Sequence, residues 1–276
     1  APLLLPFMQV DLGPWSPWGK WVRKSAIADR VLLDEIAQRR AARDDSRTDV
    51  MSLLLAARDE QGNPMTDEEL RDELITLLVA GHETTATALT WALRWILDTP
   101  RVEERLRAEL AAAGPLGPEK IAKLEYLDAV VREALRLNPV IPIVGRILKR
   151  PAKIGGYDLP AGVGVLCSIY LAQRRPDVYP NANGFEPERF LERRFSPTEL
   201  FPFGGGIRRC IGMAFALYEM KMVLATIFAR CELRLAPTKE IRVVRRSITL
   251  APSEGLRVRV ARKMGSTGDQ ELRRDG

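Results

Sequence analysis

The stretch Phe203-Gly204-Gly205-Gly206-Ile207-Arg208-Arg209-Cys210-Ile211-Gly212 decides how the rest of this chain is read. One cysteine sits among four glycines, directly after two arginines, and opens an apolar, helix-like run that reaches Phe228. Gly204, Gly205, Gly206 and Gly212 remove side chains where a backbone must turn tightly or come close to something. Arg208 and Arg209 set positive charge beside Cys210, which favours the thiolate, the form of cysteine that ligates metals. The apolar run gives the loop a helix N-terminus, whose dipole favours the same negative charge. A lone thiolate on a flat, glycine-lined loop suits an axial ligand to a planar cofactor. The plain alternative, a glycine-rich turn with an incidental cysteine, leaves Phe203, the arginines and the glycines unexplained together.

Composition narrows what such a loop can belong to. With 46% apolar and 28% charged residues, the 276-residue chain has the profile of a soluble globular protein, long enough for one large domain or two smaller ones. Cys167, Cys210 and Cys231 are odd in number and lack Cys-x-x-Cys spacing, which argues against zinc and disulfides and fits a reducing compartment. The single His82 excludes a multi-histidine metal site. Lys plus Arg exceed Asp plus Glu by 42 to 36, but no like-charge block is interleaved with aromatics, so nucleic-acid binding is not expected. The apolar stretch around Leu74 to Gly81 is too short to span a bilayer. No basic segment precedes an apolar core at the N-terminus, so no signal peptide is expected and the cytoplasm is the expected location. Ala1 to Trp21, with four prolines and three tryptophans, reads as the interior of a longer chain; a processed N-terminus is the other reading.

Periodicity predicts a helix over Trp21 to Arg43, a short one over Val50 to Ala57, and a long one from the Thr66/Glu69 capping box to Asp98. Further helices are predicted over Val102 to Ala113, Ile121 to Leu137 and Ile211 to about Arg230. Gly155 to Gly162 reads as a hairpin between short strands, and strands are predicted over Ile241 to Leu250 and Leu256 to Ala261. The fold class is therefore mainly α with small β-sheets. Residues 1–263 form the expected globular portion and residues 264–276 a polar, disordered tail.

Three further constellations carry chemistry. Ala80-Gly81-His82-Glu83-Thr84-Thr85 places an acid and two hydroxyls inside the apolar long helix, where they are costly unless used. Gly81 and a back-bonding Thr84 favour local widening of the helix, making a pocket beside a carboxyl–hydroxyl pair suited to relaying protons; a satisfied polar core pair is the competing reading. Glu133 and Arg136 lie at i,i+3, an ordinary spacing that gains weight from Arg189 in Pro187-Glu188-Arg189-Phe190. A carboxylate shared by two guanidinium forks would clamp the segment leading to Cys210. For the cysteine itself, thiolate-ligated haem is the known planar-cofactor case.

Together these segments resemble the haem-thiolate, or cytochrome P450, family. Phe203 to Gly212 matches the family's cysteine loop, Ala80 to Thr85 its oxygen-activation segment, Glu133 to Arg136 its Glu-x-x-Arg pair, and Pro187 to Phe190 its Pro-Glu-Arg-Phe segment. The resemblance runs to about Lys263 and implies the C-terminal portion of that fold, of bacterial soluble type. It implies haem b with Cys210 as proximal ligand, and Phe203, Gly204 and Gly212 in the loop beneath it. Arg146 and Arg208 would pair with the propionates, and Glu83 and Thr84 would deliver protons during oxygen activation. Glu133, Arg136 and Arg189 would form the structural triad. Where the family often has histidine before the arginines of residues 173–176, this chain has Gln173, expected to loosen a local contact. Family members also carry roughly 150 residues of N-terminal helices without a counterpart here.

The resemblance implies a monooxygenase that inserts one atom of O2 into an apolar small molecule, using electrons from a ferredoxin- or flavodoxin-type partner. Arg209 would lie in the face docking that partner, though a solvated surface explains surplus arginine equally simply. Two alternatives remain: a peroxide-driven haem-thiolate enzyme, and a non-catalytic truncated fragment. His82 reads as a solvated or pocket-lining side chain rather than a ligand. Packing is the reading preferred for Trp15, Trp18 and Trp21.

Overall fold

The computed structural model describes residues 10–42, 44, 46–237 and 241–264. A division between His82 and Glu83 separates two compact units, each described here by itself. In the first, α1 spans Pro17–Ala42 and starts ahead of the predicted Trp21. Ser16 Oγ accepts the Gly19 N–H at 3.0 Å, and Pro17 takes the first helical position, where its missing N–H costs nothing. The predicted end at Arg43 lies outside the described residues. Trp18 and Trp21 stack on one another at 4.7 Å, while Trp15 is exposed. Helix α2 (Val50–Ala56) begins at Asp49, whose carboxylate accepts the Ser52 N–H at 3.0 Å. A hydrogen bond from Arg39 at 2.8 Å, with that from Ser52, holds Asp49 down at about 2.

Helix α3 runs Asp67–Asp98 with the predicted ends. The capping box closes reciprocally: Thr66 N–H donates to Glu69 Oε2 at 2.8 Å and Glu69 N–H to Thr66 Oγ1 at 3.2 Å. The predicted widening is not found. Residues 80–85 remain α-helical, because the polar groups there are not forced into an apolar interior: Glu83 is exposed and Thr84 half-buried, with only Thr85 buried.

In the second unit, the later part of α3 buries Ala88, Trp91, Ala92 and Ile96, a stripe at helical spacing. It packs in a core with α4 (Pro100–Ala113), α6 (Glu125–Leu137) and α9 (Met213–Arg230), through Val102, Leu106, Leu127, Val130 and Leu224, all fully buried. Each such aliphatic chain contributes roughly 1.5–3 kcal/mol by leaving water. The predicted helix over Ile121 to Leu137 is two helices, α5 (Pro118–Ala122) and α6. Leu124 is extended, and the Glu109 carboxylate on α4 accepts the N–H groups of Tyr126 and Leu127 at 2.7 and 2.9 Å. That cap from a distant helix replaces the local bonds that would have continued α5. Short helices α7 (Ile169–Ala172) and α8 (Arg189–Glu192) complete the set.

The sheets among the described residues are two-stranded and antiparallel. β1 (Ile143–Ile147) pairs with β4 (Gly164–Ser168), and β2 (Ala152–Ile154) with β3 (Tyr157–Leu159). Gly155 and Gly156 form the β2–β3 turn with φ of +58° and +88°, the mirror-image geometry that side chains resist. The predicted strand over Ile241 to Leu250 folds back as β6 (Val243–Arg246) and β7 (Thr249–Pro252), because Ser247, at φ +55°, turns the chain. The predicted strand over Leu256 to Ala261 starts and ends two residues later, as β8 (Val258–Lys263), paired with β5 (Cys231–Leu235). β5 has no predicted counterpart, although Cys-Glu-Leu-Arg-Leu carries the alternation of a strand. The predicted tail lies outside the described residues except Met264, whose N–H donates to Arg230 O at 2.7 Å.

Candidate functional site

The cysteine loop is built by backbone hydrogen bonds. Phe201 O accepts the Gly204 N–H at 2.9 Å, and Phe203 O accepts the Cys210 N–H at 2.9 Å, so ten residues fold back on themselves. Between them Gly206–Arg208 makes one 3-10 turn, closed by Arg209 N–H on Gly206 O at 3.1 Å. Gly204 and Gly206 have φ of +71° and +67°, so glycine is needed there for conformation. A methyl added at Gly204, Gly205 or Gly206 would meet nothing within 4 Å, and one at Gly212 would touch only Cys210 Sγ at 3.9 Å. The loop therefore presents an open face. Cys210 is exposed on it, with Ile207 at 102%, Ile211 at 92% and Phe215 at 65% exposure. So much bare apolar surface around one thiol marks a contact face. Helix α9 leaves the loop at Met213, with Gly212 at its N-cap. At its far end Arg107 of α4 donates to Phe228 O and Cys231 O.

Elsewhere in the second unit the structure brings Glu133, Arg136 and Arg189 together. Glu133 and Arg136 are fully buried and Arg189 nearly so. Arg136 Nε donates to Glu133 Oε2 at 2.7 Å and Nη2 to Oε1 at 2.8 Å; Arg189 Nε reaches Oε1 at 3.2 Å and the Glu186 N–H reaches it at 2.9 Å. The remaining N–H groups of Arg136 go to carbonyls of Gln173, Ala182 and Gly184 at 2.8–3.0 Å. All five guanidinium donors are used, and Tyr179 lies against the same group at 4.8 Å. Burial pushes the Tyr179 phenol up to about 12, against the pull of Arg136.

Gln173 corrects the prediction of a loosened contact. Its side chain is fully buried and bonded at both ends: Nε2 donates to Leu135 O and Arg136 O at 3.2 and 3.0 Å, and Oε1 accepts the Phe201 N–H at 3.0 Å. A primary amide has two donors where a neutral imidazole has one, so it makes more contacts here, not fewer.

Glu188 was not singled out by sequence reasoning. Its carboxylate takes hydrogen bonds from Arg101 at 3.0 Å, Arg105 at 3.3 Å and Tyr126 Oη at 2.9 Å, joining α4 and α6 to the segment that carries Arg189. Burial raises Glu188, but the bonds from Arg101, its own backbone and Tyr126 outweigh it and leave it below the usual carboxylate range. Its place directly before Arg189 was the available signal. Of the other predicted residues, Arg208 and Arg146 are exposed, and Arg146 Nη1 donates to Gly145 O at 2.8 Å on β1. His82 is exposed.

These residues fit a flat group carrying its own metal. Among the described residues no cluster of three or more His, Cys, Asp or Glu side chains could hold an ion. The single exposed Cys210 thiol on an open apolar face suits a planar macrocycle that supplies a metal's other ligands.

Comparison with known proteins identifies the family. The family model described as Cytochrome P450 matches residues 2–258, and the chain belongs to that family. It is 42% identical over 268 residues to a putative cytochrome P450 135B1 of Mycobacterium bovis, covering 91% of this chain and 56% of that protein. A putative cytochrome P450 137 of Mycobacterium tuberculosis is 40% identical over 249 residues, covering 90% and 50%. Among solved structures, a retinoic acid-bound cyanobacterial CYP120A1 superposes with TM-score 0.82 at 31% identity, covering 93% of this chain and 60% of that one. The crystal structure of CYP102L1 gives 0.77 at 34% identity, covering 88% and 58%. The chain thus spans 50–60% of the length of these relatives. No helix among the described residues is long and apolar enough to cross a membrane.

Proposed function

We propose that this chain supplies the thiolate ligand and the proton-delivery residues of a haem-thiolate monooxygenase. When bound, the haem supplies the chemistry that places one atom of O2 into an apolar substrate and releases the other as water. Two electrons from a ferredoxin- or flavodoxin-type protein, and two protons, balance that reaction. Cys210, held by its N–H bond to Phe203 O, would be the residue that ligates the group through sulfur. Gly204, Gly205, Gly206 and Gly212, which carry no side chains, would let the group approach the backbone. Arg208 and Arg146, both exposed, would pair with its carboxylates. Thr84 Oγ1 and the Glu83 carboxylate hold and pass the protons, Glu83 exchanging with water from its exposed position. Glu133, Arg136 and Arg189 act as a structural triad and touch no substrate. Three free cysteines fit a reducing compartment, which supports a cytoplasmic location.

The observation that carries this reading is the exposed Cys210 thiol on a loop whose left-handed glycines leave its face bare. Titrating haem into the chain, followed by reduction under carbon monoxide, is the test. The red-shifted Soret band of thiolate ligation is expected, and Cys210→Ala is expected to abolish it. A thiolate-type spectrum that survives in Cys210→Ala refutes the assignment. A chain that binds no haem refutes the reading for this polypeptide and favours the non-catalytic alternative.

A further inference from the structure

We infer that Gln173 is the positioning residue that holds the cysteine loop to the arginine clamp, and that its neutral amide makes this hold independent of pH. The inference rests on the reading that the loop carries the haem ligand only insofar as the loop's placement matters for function. The hydrogen bonds themselves stand without it.

The last four carbonyls of a helix have no partner within it. At the C-terminus of α6, Ala134 O accepts the Asn138 N–H at 2.9 Å, but Leu135 O, one residue on, would look to Pro139, which has no N–H. Gln173 Nε2 takes Leu135 O and Arg136 O, and Arg174 Nη2 takes Leu137 O. The set is complete only because the chain returns past α7 to place residues 173 and 174 there. The other end of the Gln173 side chain accepts the Phe201 N–H, and Phe201 O in turn accepts the Gly204 N–H at the first left-handed glycine. Phe203 O then holds the Cys210 N–H. A continuous series of hydrogen bonds therefore runs from α6 through Gln173 to the cysteine.

The amide orientation is fixed by its partners. Two carbonyls can face only the NH2 group, and a backbone N–H can face only the oxygen. No other common side chain offers two donors and one acceptor in this shape at every pH. A neutral imidazole can accept from Phe201 and donate to one carbonyl; once protonated it has no acceptor and opposes the Phe201 N–H. A carboxylate can accept from Phe201 but faces two carbonyl oxygens with no proton to share. The charged and titratable groups around the site are Arg136 and Glu133 on α6, Arg174 beside Gln173, Tyr179 against Arg136, Arg189 on α8, and Glu186, paired with Arg189 at 3.0 Å. The three guanidiniums outnumber the two carboxylates, so they oppose an imidazolium and favour a carboxylate.

The test uses the 276-residue chain with Gln173→His, Gln173→Glu and Gln173→Met. Amide hydrogen exchange is followed at Phe201, Gly204 and Cys210, with Leu127 as control, and each rate is divided by the parent rate at the same pH. Gln173→His is expected to loosen Phe201 on the order of tenfold as pH falls through the imidazole transition, and Gln173→Glu by a similar factor as pH rises through the carboxyl transition. Gln173→Met is expected to loosen it at every pH, with Leu127 unchanged in all three. Alkylation of Cys210 should accelerate with the same signs. Parent-like exchange at Phe201 in all variants overturns the inference. So does loosening without opposite pH trends, or loosening shared equally by Leu127, because either result makes Gln173 merely a packing residue. Opposite trends in a chain with no thiolate-type haem spectrum would uphold this inference and refute the proposed function; a normal spectrum with an unresponsive Phe201 would do the reverse.

Discussion

Replacing Arg136 by lysine keeps the charge and removes the geometry, which makes it a sharp probe of the buried clamp. In the parent chain, Nε and Nη2 bind the two oxygens of Glu133, Nη1 binds Gln173 O and Ala182 O, and Nη2 also binds Gly184 O. An ammonium has three donors, so at least two of these five acceptor contacts are lost in a site with no solvent exposure. Each orphaned buried acceptor costs about 1–3 kcal/mol, which gives roughly 2–6 kcal/mol for Arg136→Lys. That is a large part of the 5–15 kcal/mol typical of a folded domain. Urea unfolding followed by circular dichroism is the assay, with Arg175→Lys as control. Arg175 pairs with Asp177 in solvent, and its substitution is expected to leave the midpoint unchanged. If Arg136→Lys costs under about 1 kcal/mol, the value of an exposed pair, the claim that its five N–H groups hold the segment is wrong.

Two further outcomes follow from the site. Thr84→Ala in the haem-loaded protein is expected to retain the thiolate-type spectrum while less product forms per electron consumed; a fully coupled variant, measured by product against reductant, would remove Thr84 from proton delivery. Tyr179 is pushed up from an ordinary value of 10.0 to about 12, so between those pH values the unfolded chain releases a proton that the folded chain keeps. Stability from this group is complete below pH 10 and lost as pH rises through 12, by about 3 kcal/mol. Tyr179→Phe should flatten that part of the denaturation-against-pH curve, and an unchanged slope would refute the assignment to Tyr179.

Elements whose ends are set by neighbouring residues were legible in the sequence. The Thr66/Glu69 box located the start of α3, Asp98 its end, and Gly155-Gly156 the hairpin, because each signal acts within a few residues. What was not legible depends on groups far along the chain. The break between α5 and α6 comes from Glu109, more than fifteen residues upstream of the N–H groups it caps, and no pattern within residues 118–137 encodes it. The expected widening of α3 assumed that Glu83 lay in an apolar interior, whereas it is exposed. The Glu133–Arg136 pair was visible as a spacing, but its complete burial and the carbonyls of residues 173, 182 and 184 were not. Gln173 shows the limit most clearly. Read as a departure from a pattern, it suggested a weaker contact; read with its partners, it closes the polar interior.

Why a protein should bury three such ions at all is not answered by stability. A buried ion pair commonly breaks even against apolar residues of the same size, since desolvation offsets the attraction. What the clamp adds is direction. Each of its groups bonds backbone in the irregular stretch from Gln173 to Arg189: Arg136 to residues 173, 182 and 184, Glu133 to residue 186, and Arg189 to Pro180 O at 3.1 Å. That stretch has little regular structure to fix its path, and an apolar core cannot specify where a carbonyl points. Through Gln173 the same network reaches Phe201, so the near end of the cysteine loop is set by directional bonds. The far side, Gly204 to Ile207, is held by bonds within the loop itself, Gly204 N–H to Phe201 O and Arg209 N–H to Gly206 O, and its outer face stays open. One end of the loop is anchored to a polar interior and the other is left bare for whatever lies across Cys210, a division of roles expected of a ligand loop and not of an incidental turn.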